Sequence, residues 1–463
     1  MAFSAYLENM RPKARELVAE LKKTFRYASV LGTDCRATVY QADKNTSAIR
    51  DGNGECGFVV KLTDGGFFYE YSITDLSGDV SELAAKIVSS AKKVGWKDTV
   101  SCAAPKTQPI VRSFKRDDDF DLFSDEKILG FCKDLKGEIL KKDENVLNAF
   151  AIIQPYKVSK LFISEDRELD QSYGWINGYI MVVYKGEKVV QARESWYSTK
   201  ISEVMETLPT FTSKLVEKAK CLSSAKQIVP GTYDVITDPS ITGLIAHEAF
   251  GHGVEMDQFV KSRALAKEYV GKYVASPITN MRDGAAATLS AASYFFDDDG
   301  VLAHDTQIIK DGVLVSGISD LTSATELGTS PTGNGRRESY KRKAYSRMTN
   351  TFFEKGSDKL EDMIKSVKHG YMLFETNNGM EDPKNWQIQC TAEYGIEIID
   401  GKLTDNYVSP VVMSGSVPEL LKSISMISDD FHVTGAGMCG KGYKEWVRVS
   451  DGGPCLKVKV KLA

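Results

Sequence analysis

The sequence predicts a multi-domain α+β protein: an N-terminal α+β domain, a middle α+β domain, and a large, mostly-β C-terminal domain that carries a histidine-bearing helix. Three observations carry that reading. A chain of 463 residues is too long for one ordinary core, because single cores stop growing near ~250–300 residues. Before residue 228, two blocks each mix helix-period and strand-period runs. After residue 231, turn-bounded strands dominate, interrupted by a helix that holds two of the chain's five histidines.

The first domain is placed at residues 1–105. Residues 11–25 form an amphipathic helix, with Pro12 near its start and Leu17, Val18, Leu21 and Phe25 on one face. Short β-rich runs follow at 29–31, 37–40, 57–62 and 67–71. Asp51-Gly52-Asn53-Gly54 and Asp64-Gly65-Gly66 supply turns. A second helix covers 81–93, with Leu83, Ile87 and Val88 along one side. Residues 97–123, with Pro105, Pro109 and a solvated acidic run Arg116-Asp117-Asp118-Asp119, read as a connection.

The middle domain is placed at 106–227. Ser124-Asp125-Glu126 opens a helix with acids in its first turn. Strands are expected at 149–153, 160–164, 175–184 and 188–196, the last two joined through Lys185-Gly186-Glu187, and a helix over 209–225 closes the block. The C-terminal domain, 228–463, begins with a strand at 231–236 that feeds the histidine helix. Hairpin signals recur at Asp298-Asp299-Gly300, Lys310-Asp311-Gly312 and Asp400-Gly401. Helices are expected near 358–368 and 418–428.

Composition excludes several functions. The chain is 42% apolar and 26% charged with a net charge of −4, so nothing drives it toward nucleic acid or an anionic membrane. No apolar run approaches the ~18–20 residues of a membrane span. Met1-Ala2-Phe3-Ser4 lacks the basic-then-apolar order of a signal peptide. Eight cysteines are scattered without a CxxC pair, which predicts a reducing, cytoplasmic setting with thiols free to act as ligands.

The chemistry concentrates in Asp238-Pro239-Ser240-Ile241-Thr242-Gly243-Leu244-Ile245-Ala246-His247-Glu248-Ala249-Phe250-Gly251-His252. Asp238 and Pro239 suit a helix cap and first turn, and Ile241, Leu244 and Ile245 bury one face. His247 and His252 are five apart, about 140° around a helix of ~3.6 residues per turn. They reach one ion only if the helix widens into a π-bulge or ends near Gly251. A buried helix carrying His, Glu and His needs something to offset the desolvated polar groups, and a metal does so. A carboxylate such as Glu248 can take a proton from zinc-activated water. A third ligand is then needed. Glu255 and Asp257 follow on the same helix, Cys439 sits in a glycine-rich stretch, and Cys455 follows Gly452-Gly453-Pro454.

Beyond single motifs, the chain resembles the TldD/PmbA metallopeptidases. The histidine segment through Glu255 carries the resemblance, together with Gly271–Ser276, Asp297-Asp298-Asp299-Gly300, Gly333–Tyr340, Arg347–Thr351 and Gly437-Met438-Cys439-Gly440-Lys441. These cover most of 231–463; the first 220 residues are similar only in general order. The resemblance implies Zn2+ on His247, His252 and Cys439, Glu248 as catalytic base, and Cys455 as a packing residue. It leaves Glu255 and Asp257 to orient a histidine. It implies hydrolysis of unfolded or extended peptides, in a homodimer or in a heterodimer with a PmbA/TldE-like partner. The segment around Gly333, Asn334, Gly335, Arg336, Arg347 and Asn350 is expected to wall the cleft. Its glycines would allow close approach, an arginine would hold a carboxylate or oxyanion, and Asn350 would bond the peptide backbone. Two rivals stay open: a non-catalytic, gyrase-modulator-type binding protein with a structural metal, and a thiol hydrolase pairing Cys439 with His432.

Overall fold

Two strands of 19 residues, Val146–Ser164 and Arg167–Lys185, organise the N-terminal half and pair antiparallel along most of their length. The computed structural model describes residues 2–65, 68–94, 108–435 and 437–463. Tyr27–Ala42 flanks the first long strand, followed by Glu55–Thr63 and Tyr69–Ile73. Val189–Ser198 and Ile110–Lys115 flank the second, the latter in parallel. With Ser47–Asp51 they make one eight-stranded sheet.

The strands expected at 149–153 and 160–164 are therefore a single strand. Pro155 lies between them. Proline has no N–H to give a ladder, and pairing with Tyr27–Ala42 lapses between Ile153↔Tyr40 and Tyr156↔Ala37 while the strand itself continues. The same sheet draws strands from both 1–105 and 106–227, so the boundary expected near 105 divides one sheet. Residue 105 itself, with the rest of 95–107, lies outside the described residues. The expected connection contains a strand, Ile110–Lys115.

Helices cover this sheet in two cores. Ala5–Lys22 and Val80–Val94 bury Leu7, Leu17, Leu21 and Ile87 with Val30, Phe58 and Leu161. The first helix starts earlier than its apolar pattern suggests because Ser4 Oγ accepts from the Leu7 amide at 3.3 Å; Pro12 falls inside the helix. Asp125–Leu140 and Thr212–Ser223 bury Ile128, Leu135, Leu215 and Leu222 with Ile153 and Ile180. The helix expected over 209–225 follows two shorter pieces, Ile201–Thr207 and a 3-10 turn at Leu208–Phe211.

In the C-terminal half, Gly231–Thr237 pairs in parallel with His369–Asp382 and antiparallel with Leu456–Leu462. Val411–Ser416 and Gln387–Ile399 continue the sheet, and Gln387–Ile399 pairs back onto His369–Asp382. The ring closes, which removes free edges along most of it. A second, six-stranded sheet includes Asn350–Phe353 beside Ser450–Gly453. The histidine helix leaves Gly231–Thr237 and runs between the two sheets, burying Ile241, Ile245 and Phe250. The fit is close: a Cβ on Gly243 would come 2.4 Å from the Gly452 amide nitrogen.

The hairpins expected at Lys310-Asp311-Gly312 and Asp400-Gly401 are present. Asp298-Asp299-Gly300 is a tight turn buried against the N-terminal sheet. There Lys61 Nζ meets Asp299 at 2.7 Å, Lys160 pairs with Asp298, and Gln171 Nε2 donates to the Phe296 carbonyl at 2.8 Å. The helices expected near 358–368 and 418–428 appear as Leu360–Lys365 and Val417–Lys422. Among the described residues no helix is long and apolar enough to cross a membrane.

Candidate metal centre

The widening that the i, i+5 spacing requires is built into the helix. Asp238 Oδ1 accepts from the Ile241 amide at 2.8 Å, Pro239 takes the first turn, and six α-helical residues follow. Ile245–Gly251 is then a π-helix, and the His252 amide bonds back to the His247 carbonyl. That five-residue repeat brings the two imidazoles to one side, ring centroids 5.2 Å apart. Gly251 serves packing rather than freedom of the backbone: a Cβ there would meet Met348 Sδ at 2.1 Å.

Cys439 arrives from the hairpin Met438–Lys441 and Glu445–Arg448. Its Sγ lies 3.4 Å from His252 Nε2, and the donor atoms of His247, His252 and Cys439 all lie within 4.8 Å of one another. A tetrahedral ion with bonds of about 2.0–2.3 Å needs N and S donors roughly 3.3–3.8 Å apart; the His252–Cys439 pair stands at that spacing, and the sulfur suits a soft divalent ion such as zinc. Among the described residues no fourth His, Cys, Asp or Glu joins the group. Cys455 packs elsewhere, its amide on Ser428 Oγ.

The charges around these atoms match that use. Burial pushes the Cys439 thiol up, but the adjacent His252 and His247 outweigh it and hold the thiol well below its ordinary value. His252 is buried too, yet Cys439 and Glu255 raise it well above its ordinary value. Each of the two thus favours the charged form of the other. Glu248 points at the same spot, its oxygens 4.0 Å from His247 Nε2 and 3.8 Å from His252 Nε2. Burial raises its carboxyl, partly offset by the two histidines.

Glu255 and Asp257 divide. Glu255, 1% exposed, faces His252 Nδ1 at 3.2 Å and Lys441 Nζ at 2.9 Å. Burial would raise it, but Lys441 and His252 hold it at about 2. It therefore fixes the ring that turns Nε2 toward the sulfur. Asp257 touches no histidine; it pairs with Lys441 at 2.8 Å. Glu255→Gln is expected to weaken zinc binding about 10–100-fold without unfolding the chain, measured by competition against a chromogenic chelator.

The segment expected to wall the cleft is instead internal. Asn334 is fully buried and bonds Asp283 and the Arg347 carbonyl. Asn350 donates to the Gly284 and Thr288 carbonyls. Gly333 and Gly335 are held by Tyr294 and Asp297. Arg336 donates to the Met348 and Arg448 carbonyls. Arg347, 1% exposed, donates to the Cys439 carbonyl at 2.6 Å and the Glu445 carbonyl at 3.2 Å, and approaches Glu255. None of the six lines the cleft. Buried guanidinium and amide groups demand partners, and here the protein supplies most of them, leaving Arg347 Nε and Asn350 Oδ1 without one. Arg347 still serves the site by clamping the cysteine hairpin. His432 stacks on Trp196 at 5.5 Å, and the sulfur's neighbours are His252 and His247.

The cleft over these three donors has a volume of about 830 Å³. Besides the histidine helix and the Gly437–Lys441 stretch, its walls include residues the sequence did not mark: Thr376–Glu381, Arg193, Trp446 and Asp451. Gly379 lets Glu248 stand close, since a Cβ there would meet Glu248 Cγ at 2.6 Å. Both Glu381 oxygens are closed off from solvent without a hydrogen-bond partner, and burial raises that carboxyl well above its ordinary value. Burial likewise raises Asp451, to about 6.

A family model described as the PmbA/TldA metallopeptidase C-terminal domain matches residues 230–462. A protein named metalloprotease from Methanothermobacter thermautotrophicus is 24% identical over 448 residues, 96% of each chain. One named zinc metalloprotease TldD homolog from Saccharolobus solfataricus is 29% identical over 309 residues, 64% of this chain and 67% of its own. Among solved structures, a putative modulator of a DNA gyrase from Thermotoga maritima superposes with a TM-score of 0.78 at 17% identity, covering 98% of this chain and 100% of that one. TldE from Thermococcus kodakarensis superposes at 0.76 and 18%, covering 97% and 100%. Both structures speak to the fold alone.

Proposed function

Since this chain belongs to the PmbA/TldD metallopeptidase family, we propose that it is a zinc-dependent peptidase acting on unfolded or extended peptides. The observation that carries the reading is the convergence of His247, His252 and Cys439 on one point that Glu248 also faces, beneath an open cleft. Three protein ligands with a vacancy are the pattern of catalytic zinc, whereas a structural site is closed by a fourth. The Saccharolobus relative's name supports zinc as the metal.

When bound, the ion supplies a Lewis acid that polarises a peptide carbonyl and acidifies water. Glu248 takes the proton of the attacking water and returns it to the departing amine. Glu255 keeps His252 in the tautomer that presents Nε2, and Arg347 keeps Cys439 in place. Beyond Leu373, the edge of His369–Asp382 that pairs with Gly231–Thr237 has no strand partner among the described residues, and Thr376–Glu381 line the cleft. An extended peptide lies along that edge, held by its backbone rather than its side chains.

The chain acts as a homodimer, or beside a TldE-like partner. The gyrase-modulator reading requires the metal to be structural; of the basic segment 336–347, Arg336, Arg337 and Arg347 are turned inward while Lys341, Arg342 and Lys343 are exposed. One experiment separates the readings. A strong chelator is expected to abolish cleavage of an unstructured peptide, and stoichiometric zinc to restore it. Cleavage that survives chelation and stops only on thiol alkylation would instead make Cys439, beside His252, the nucleophile.

A further inference from the structure

We propose that Asp451 sets substrate preference by receiving an alkylammonium group beside the metal centre. The proposal rests on the peptidase reading above. The acids around the centre fall into distinct states. Glu255 and Asp257 are neutralised by Lys441, with Arg347 near the first. The Glu381 oxygens are closed off, so nothing in the cleft touches them. Asp451 lines the cleft with His247, Glu248 and Cys439. Among the described residues its side chain makes no ion pair and a single long hydrogen bond, from Thr434 Oγ1 to Oδ1 at 3.4 Å; Oδ2 is left open.

Its position is set by rigid backbone. Ser450–Gly453 lies between Asn350–Phe353 and His432–Thr434, paired to both. The histidine helix presses on the same strand, since a Cβ on Gly243 would come 2.7 Å from the Asp451 carbonyl carbon. The side chain is therefore held beside the metal ligands by the elements that hold the ligands themselves.

Charge completes the argument. A divalent ion, the Cys439 thiolate and the Glu248 carboxylate sum to zero. Asp451 adds a carboxylate with which, among the described residues, no cationic side chain forms an ion pair, though Arg193 and Lys444 line the same cleft. A carboxylate largely withdrawn from water loses solvation that a cation restores, while a neutral group leaves it stranded and an anion repels it. The ammonium can be the free α-amino group of a short peptide or the side chain of a lysine next to the scissile bond.

The test reads binding rather than turnover. Fluorescent peptides are prepared as twins, lysine against norleucine and free amino terminus against acetylated. Their affinities for zinc-loaded Glu248→Gln protein, with and without Asp451→Asn, are measured by anisotropy. One cationic twin is expected to bind about tenfold tighter or more, the scale of a charge-assisted bond, and Asp451→Asn is expected to erase the difference. The pair that discriminates identifies the source of the ammonium. Twins that bind alike, or discrimination that survives Asp451→Asn in a protein of unchanged melting temperature, would overturn the proposal. If the variant failed to fold, the peptide comparison alone would still decide against Asp451 whenever the twins bind alike. Absence of chelator-sensitive hydrolysis in the wild type counts against the peptidase reading and leaves this measurement standing. Cleavage without discrimination counts against Asp451 alone.

Discussion

Glu248→Gln is expected to lower peptide hydrolysis by about 10²–10⁴-fold, the usual contribution of a positioned general base, with zinc content unchanged. The geometry separates the two effects. Glu248 is not one of the three donors that converge; its oxygens stand 3.8 and 4.0 Å from the histidine nitrogens. Glutamine keeps the shape that Gly379 accommodates, so the helix and ligands stay in place. What disappears is the capacity to accept a proton. Chromatographic assay of an unstructured peptide, paired with elemental analysis of the same sample, reads both quantities. A variant that cleaves within a few-fold of wild type at full zinc occupancy would remove Glu248 from the reaction.

How much of this was legible in the sequence depends on how local the cause is. The π-helix was legible because two imidazoles five residues apart can share an ion only on a widened turn. The cap at Asp238 and the hairpins at Asp311-Gly312 and Asp400-Gly401 are equally local. Long-range pairing hid the rest. Arg347 reads as a surface or cleft cation until Cys439 and Glu445 bring their carbonyls to it from 92 and 98 residues away. Asn334 and Asn350 look free to bind substrate, but Asp283 and the Gly284–Thr288 turn claim them first. Asp451 sits in what reads as a plain Asp-Gly-Gly-Pro turn, and only the packing of Gly243 against that strand brings it to the metal centre. The single sheet over 27–198 was hidden because its pairing of Tyr27–Ala42 with Val146–Ser164 joins segments more than 100 residues apart.

Cys439→Ser is expected to cost the protein its zinc, and with it both hydrolysis and zinc-dependent thermal stabilisation. Cys439 is the one candidate donor that comes from outside the histidine helix, so it would decide whether two imidazoles become a three-coordinate site. Serine's hydroxyl does not ionise near neutral pH, and oxygen is a harder donor at a shorter reach. The loss should exceed the ~10–100-fold that removal of an outer partner such as Glu255 causes. The backbone should stay in place, because Arg347 grips the residue by its carbonyl rather than its sulfur. In the metal-free protein the same change has a second, signed consequence. Cys439 is the leading influence that lifts His252 against its burial, so without the thiolate the imidazolium should titrate at a lower pH, visible in the ring resonances. Calorimetry gives the decisive reading. Zinc at a hundred times its dissociation constant stabilises a native site by ~2.7 kcal/mol, so wild type should melt higher with the metal and Cys439→Ser should not. A serine variant that holds stoichiometric zinc and shows the full shift would mean that the sulfur is no ligand and that the ion sits elsewhere.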